Sequence, residues 1–189
     1  MLAGVDEAGR GCWAGPVIAA AVILPDSWCP DGLDDSKKLT ARQREDFYEQ
    51  IQASALSWGA CAVSSVEIDR TNILRATLCA MAGAVARLDP RPDLVLVDGL
   101  QVPDVEYPAE AVVKGDSTSA SIAAASVVAK VLRDRVMVAW DKRFPGYGFA
   151  AHKGYGAASH RQALVRLGPC PLHRFSYRPV AELDQGRLF

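Results

Sequence analysis

Aromatic residues are scarce, at 7% of 189 positions, and neither sign of charge is in surplus, with 21 Lys and Arg against 22 Asp and Glu. The total of -1 therefore says nothing in favour of a polyanionic partner. Long apolar runs are missing too. The longest, residues 17–24, falls far short of the roughly 20 residues that cross a bilayer, so no membrane span is expected. The five cysteines, Cys12, Cys29, Cys61, Cys79 and Cys170, are odd in number, widely spaced and free of any C-x-x-C pair. Their pattern argues against a disulfide framework or a zinc knuckle and fits a reduced, cytoplasmic location. No charged leader with an apolar core precedes Asp6-Glu7, so no signal peptide is expected.

What is present suits a globular domain. Half of the residues are hydrophobic and 23% are charged, the reverse of a disordered composition, and 15 Gly with 11 Pro is ordinary usage. The length fits one domain over residues 1–189. Short apolar runs at 2–5 and 17–24, separated by the turn Gly9-Arg10-Gly11, predict two strands. Thr40 with Gln43 forms a capping-box pattern ahead of Phe47 and Ile51, which predicts a helix over 41–54. A strand is expected at 58–63. Apolar residues at helical spacing then predict one long helix over 66–88, stopped by Pro90 and Pro92. Strands are expected at 94–97 and at Val112-Val113, a helix over 121–144 with Val128, Leu132, Val136 and Trp140 along one side, and a last helix over 157–167. From about residue 170 the tail reads as irregular. Five strands with helices between them indicate an α/β fold.

By position, the charge is far from even. Residues 1–113 carry 9 basic against 17 acidic residues, whereas 114–178 carry 11 against 3. With Tyr147, Phe149, Tyr155, Phe175 and Tyr177 interleaved, the second stretch reads either as a face for a nucleic-acid backbone or as a basic segment paired with the acidic half.

Carboxylates fall at the ends of predicted strands. Asp6-Glu7 follow the first, Asp98 follows the run 94–97, and Asp116 follows Val112-Val113. Open α/β sheets place their sites where strands end, and several carboxylates together repel unless a cation lies among them. Hard oxygen ligands suit Mg2+ or Mn2+ rather than zinc. Each acid alone also reads as turn or cap chemistry. Gly9-Arg10-Gly11 allows close backbone approach and offers a guanidinium fork, or is simply a tight turn. Lys37 and Lys38 precede a capped helix and either contact phosphates or decorate an exposed turn. His152-Lys153-Gly154-Tyr155-Gly156 is a basic loop whose ring would stack on a sugar or base, unless it is an ordinary surface loop. P-loop, dinucleotide, zincin and nucleophile-elbow motifs are absent. His152 and His160 are expected at the surface.

Taken in order, the motifs Asp6-Glu7-Ala8-Gly9-Arg10-Gly11, Ala14-Gly15-Pro16-Val17, Asp35-Ser36-Lys37-Lys38-Leu39, Asn72-Ile73, Val97-Asp98-Gly99, Lys114-Gly115-Asp116, the stretch 121–130 with Arg133-Asp134, and His152-Lys153-Gly154-Tyr155 resemble the bacterial type 2 ribonuclease H family, ribonuclease HII, from residue 4 to about 179. The resemblance implies a ribonuclease H-like fold, a five-stranded mixed sheet flanked by helices with a helical C-terminal portion. It implies metal ligands at Asp6, Glu7 and Asp98 and a fourth carboxylate at Asp116, with Asp134 the rival for that place. It further implies that Gly9, Arg10 and Gly11 read a 2′-hydroxyl through backbone groups, that Tyr155 stacks on the sugar at a ribo-to-deoxyribo junction, and that Lys37, Lys38 and Asn72 touch phosphates. Ala8, Cys12-Trp13 and Leu100 depart from the family pattern without removing a ligand.

The activity so implied is two-metal cleavage on the 5′ side of ribonucleotides, in RNA/DNA hybrids or embedded singly in duplex DNA, leaving 3′-hydroxyl and 5′-phosphate ends. Ribonucleotide removal and RNA primer removal would be its roles, with Mn2+ or Mg2+ as cofactor and a monomer as the default state. A nucleic-acid-binding module without chemistry leaves the strand-end acids unexplained. A two-carboxylate glycosidase leaves the basic stretch without a purpose.

Overall fold

The computed structural model describes residues 1–28 and 30–185; Cys29 and residues 186–189 lie outside the described residues. β1 (Leu2–Ala8) and β2 (Val17–Ile23) form from the first two apolar runs and pair antiparallel. β1 outlasts its apolar stretch. Asp6 lies opposite Ala20, Glu7 opposite Ala19 and Ala8 opposite Ile18, so the acidic pair is inside the strand, not after it as expected. Ladder hydrogen bonds to β2 override the weak strand propensity of two acids.

The capping box is present at the start of α1 (Ala41–Ser54). Thr40 Oγ1 accepts from the Gln43 amide at 3.3 Å, and Gln43 Oε1 accepts from the Thr40 amide at 2.9 Å. β3 (Ser57–Val63) follows. The single helix expected over 66–88 is instead two, α2 (Ser65–Arg70) and α3 (Ile73–Val85). The break is local chemistry: Thr71 Oγ1 donates to the Glu67 carbonyl at 2.8 Å, and Asn72 Oδ1 accepts from the Arg75 amide at 2.9 Å as the N-cap of α3. β4 (Leu94–Asp98) and β5 (Ala109–Val112) complete the strands. A 3-10 turn, Gly115–Ser117, leads into α4 (Ala120–Arg143), then α5 (Phe149–His152) and α6 (Ala158–Leu167). The tail is not irregular throughout: Arg178–Gln185 form α7, with Pro179 in its first turn, where a missing amide costs no helical bond.

Strand order is β3-β2-β1-β4-β5, with β2 and β3 antiparallel to their neighbours and β1, β4 and β5 mutually parallel, the expected five-stranded mixed sheet. Alternation sorts side chains onto two faces. Ala3, Val5, Val95 and Val97 pack with Ala76, Ala80, Met81 and Ala84 of α3. On the other face Ala20 and Val22 meet Ile51 of α1 and Ala124 and Val128 of α4. Gly4 belongs to this second face. A Cβ there would overlap the Ser121 backbone, so glycine is what lets α4 lie directly on β1.

A third cluster, including Ala14, Met137, Phe149 and Leu164, joins the end of α4 to the C-terminal helices. α4 is consequently buried nearly all round from Ser121 to Ala129, and beyond that through Val131, Arg133 and Met137. The expected stripe at Leu132, Val136 and Trp140 is only partly covered. Among the described residues no helix is long and apolar enough to cross a membrane.

Candidate active site

Register places the first two acids together. Val5 of β1 sits beside Val97 of β4, both on the α3 face, so the next residue of each parallel strand, Asp6 and Asp98, turns to the α4 face. Asp116 arrives from the 3-10 turn after β5. One carboxylate oxygen from each of Asp6, Asp98 and Asp116 lies within 4.8 Å of the other two. Glu7, one residue on, alternates to the opposite face and is not in this three-way group; its Oε1 lies 3.5 Å from Arg10 Nη1. Asp134 stands apart. Its carboxylate pairs with Lys130 at 2.7 Å and with Arg44 at 4.0 Å, which accounts for its charge inside α4.

Backbone amides hold the cluster. The Glu7 amide donates to Asp6 Oδ1 at 2.7 Å and the Gly115 amide to Asp98 Oδ1 at 2.8 Å. Ser126 of α4 stands close enough to Asp6 to favour its charged form, and its hydroxyl lies 2.9 Å from that of Ser36. Burial pushes the Asp6 carboxyl well above its ordinary range, the negative charges of Glu7 and Asp98 add to this, and the Ser126 hydroxyl and the Glu7 amide only partly offset it. Burial raises Glu7 as well, against the pull of Arg10, and raises Asp116, with Asp98 and Asp35 contributing. Such mutual repulsion among fixed carboxylates is what a divalent cation would relieve, and the oxygen-only donor set fits Mg2+ or Mn2+.

Other predicted residues divide into those near the cluster and those elsewhere. Lys37 Nζ lies 3.9 Å from Asp116 and 3.7 Å from Asp35. Its burial lowers its pKa, but Asp35, Asp6, Asp116 and Asp98 together outweigh that and raise it. Lys38 bonds Asp34 at 2.9 Å and Ser117 at 3.4 Å. Arg10 and Asp98 line one groove with Leu74, Gly99 and Leu100. Gly9, at φ +99°, has no room for a Cβ beside Arg133. Asn72 caps α3 and, among the described residues, shares no hydrogen bond or ion pair with the carboxylates.

Tyr155 is held by Gly154 and Gly156, whose positions leave no space for a Cβ against Ala14 and Trp13. Its ring lies under Lys130 Nζ at 5.5 Å and Arg133 Cζ at 5.7 Å. Two expectations are corrected here. His160 is buried, not at the surface, because it shares an Nε2 to Nε2 contact of 3.0 Å with buried His173. Tyr147 and Phe149 are core residues packed on each other, so the basic stretch is less interleaved with available rings than its sequence implies.

Comparison with known proteins decides the family. The ribonuclease HII family model matches residues 3–180. The chain belongs to the ribonuclease HII family. A ribonuclease HII of Syntrophotalea carbinolica is 54% identical over 181 residues, covering 96% of this chain and 87% of that one. One from Geobacter metallireducens is 55% identical over 181 residues, 96% of this chain and 85% of the relative. Among solved structures, the ribonuclease H2 of Pyrococcus horikoshii OT3 superposes with a TM-score of 0.80 at 24% identity, over 98% of this chain and 97% of that one. The Archaeoglobus fulgidus RNase HII, solved in a complex with PCNA, gives 0.80 at 28% identity with the same coverage. Bst-RNase HIII in complex with Mn2+ shares the fold at a TM-score of 0.75 and 16% identity, over 96% of this chain and 68% of that one. The chain is accordingly a ribonuclease H enzyme, an endonuclease acting on nucleic acid.

Several residues around the cluster carry no sequence signal strong enough to assign them a place in the site. Ser126 looks like a helix-surface serine among alanines, and only the register of α4 on β1 brings it to Asp6. Arg133 and Arg174 are completely buried beneath the Gly9-Arg10-Gly11 turn. Arg133 could have been found from its place between Ala129 and Met137, an arginine four residues from apolar neighbours on either side. Arg174, in a segment read as irregular, offered no periodicity at all.

Proposed function

We propose that this ribonuclease H hydrolyses the phosphodiester on the 5′ side of ribonucleotides, in RNA/DNA hybrids and where a single ribonucleotide is embedded in duplex DNA, leaving 3′-hydroxyl and 5′-phosphate ends. Ribonucleotide removal and primer removal are the roles that follow. The observation that carries this reading is the convergence of Asp6, Asp98 and Asp116 to within 4.8 Å, with Glu7 adjoining, in a member of this family. Asp6, Glu7, Asp98 and Asp116 would hold Mg2+ or Mn2+, a choice supported by the Mn2+ complex of Bst-RNase HIII. A pair of such ions, when bound, lowers the pKa of an attacking water and stabilises the departing 3′ oxygen.

The chain's own residues would do the positioning. The Glu7 amide fixes Asp6, and the Gly115 amide fixes Asp98. Gly9, Arg10 and Gly11 would meet the ribose 2′-hydroxyl through their peptide groups, and Tyr155 would stack on the neighbouring deoxyribose. Lys37 and Lys38, at the edge of the cluster, would meet phosphates, and Asn72 would do so from the start of α3. The protein would act as a monomeric single domain in the cytoplasm, away from membranes.

A duplex carrying one ribonucleotide, incubated with the protein and Mg2+, Mn2+ or EDTA, tests this on one gel. Cleavage on the 5′ side is expected with either ion and none with EDTA, and Asp98→Asn should lose cleavage while keeping its circular dichroism spectrum. Full activity of Asp98→Asn in excess Mn2+ would sink the metal-ligand assignment.

A further inference from the structure

Arg174 is completely buried, and among the described residues its hydrogen-bond partners are carbonyls and a hydroxyl, with no carboxylate paired to it. Its five N–H donors are all spent. Nε and Nη2 donate to the Gly15 carbonyl at 3.1 and 2.9 Å, Nη2 to the Gly9 carbonyl at 2.7 Å, and Nη1 to the Arg10 carbonyl at 2.7 Å and the Tyr177 hydroxyl at 3.0 Å. The Tyr177 hydroxyl in turn donates to the Arg10 carbonyl at 2.6 Å. Two consecutive carbonyls of the glycine-arginine-glycine turn are thus drawn toward one buried cation.

Planarity gives this a consequence on the other side of the turn. In a trans peptide the carbonyl and the next N–H point in opposite directions. With the Gly9 and Arg10 carbonyls held inward, the amides of Arg10 and Gly11 point outward. Both residues are exposed, and neither amide makes a backbone hydrogen bond among the described residues. The turn lies beside the carboxylates, since Arg10 pairs with Glu7 and lines a groove with Asp98. A cation on the carbonyl side also polarises both peptide groups and strengthens them as donors.

We infer that Arg174 is the positioning residue for ribose selection, because its N–H donors orient the peptide groups of Gly9, Arg10 and Gly11 so that two amide donors face the sugar. This rests on the reading above that the turn meets the 2′-hydroxyl. Arg174 touches no substrate itself. A lysine in its place would keep the charge but lose the fork that reaches three carbonyls at once.

Binding separates the possibilities. In an Asp98→Asn parent, dissociation constants are measured by fluorescence anisotropy for two duplexes that differ only in one ribonucleotide. The parent is expected to prefer the ribonucleotide duplex. Arg174→Lys should lower that preference about tenfold, the weight of one well-made hydrogen bond, with all-deoxy affinity unchanged. Tyr177→Phe should lower it several-fold in the same direction, and it decides the matter if Arg174→Lys does not fold by circular dichroism. A parent with no preference would overturn the reading of the turn and the inference with it. A parent that discriminates, with folded variants that keep its ratio, would overturn the role of Arg174 while leaving the reading intact.

Discussion

At Asp6 the demands of the site and of the fold conflict. The carboxylate is buried, its pKa is raised by that burial and by Glu7 and Asp98, and without a cation its charge weighs against folding at neutral pH. Asn has the same shape and keeps an oxygen for the Glu7 amide. In EDTA at pH 7, Asp6→Asn is therefore expected to be more stable than the wild type by roughly 1–2 kcal/mol, read from urea midpoints. The sign for pH follows from the raised folded pKa: protonation favours the folded wild type, so the gap between the two proteins narrows as pH falls through that pKa. Adding Mn2+ should stabilise the wild type by mass action and leave Asp6→Asn behind. Equal midpoints in EDTA, or equal gains with Mn2+, would count against Asp6 as a ligand held at the expense of stability.

Between elements, the decisive contact is α4 on β1, and Gly4 permits it. Gly4→Ala would press a methyl into the Ser121 backbone, which has no rotamer with which to yield, so a loss of roughly 1–3 kcal/mol is expected in thermal unfolding. Gly11→Ala, where a Cβ would meet nothing within 4 Å, is the control and should unfold with the wild type. A tolerated Gly4→Ala would mean that α4 does not lie as close to β1 as described. What was legible in the sequence was local or periodic. Thr40 and Gln43 cap α1 within three residues, and unbroken apolar runs mark β1, β2 and β4. The strand acids were legible because a carboxylate beside an apolar strand has no packing explanation. β5 was half-seen because, as an edge strand, it buries little of its side-chain surface. The break at Thr71-Asn72 carried a cap signal of its own, hidden under continuous helical periodicity. Arg174 was illegible because its partners, Gly9, Arg10 and Gly15, are some 160 residues away in the chain and are carbonyls, which every residue has.

Over the whole molecule, the basic C-terminal stretch does two different jobs. Part of it is exposed. Arg133 and Arg174 face inward and tie that half to the acidic one, Arg133 through the carbonyls of Ala14 and Pro16 and Arg174 through the turn. The buried histidines complete this junction. His173 Nδ1 accepts from the Cys170 amide at 2.9 Å, so its Nε2 carries the proton and donates to His160 Nε2 at 3.0 Å; His160 Nδ1 then donates to the Tyr155 carbonyl at 2.8 Å. Both rings must be neutral, because a second proton would set N–H against N–H. Burial lowers each to about 4, their mutual repulsion adding for His173. In the unfolded chain they titrate near 6.5, so between 6.5 and about 4 the unfolded state binds more protons and stability falls as pH falls. The pair should remove roughly 3–4 kcal/mol of unfolding free energy between pH 7 and pH 5, measured by urea denaturation. The raised carboxylates act in the opposite sense, which a double variant controls for: His160→Gln with His173→Gln should lose that part of the slope and keep theirs. An unchanged slope in a folded double variant would show that the junction is not held by neutral imidazoles.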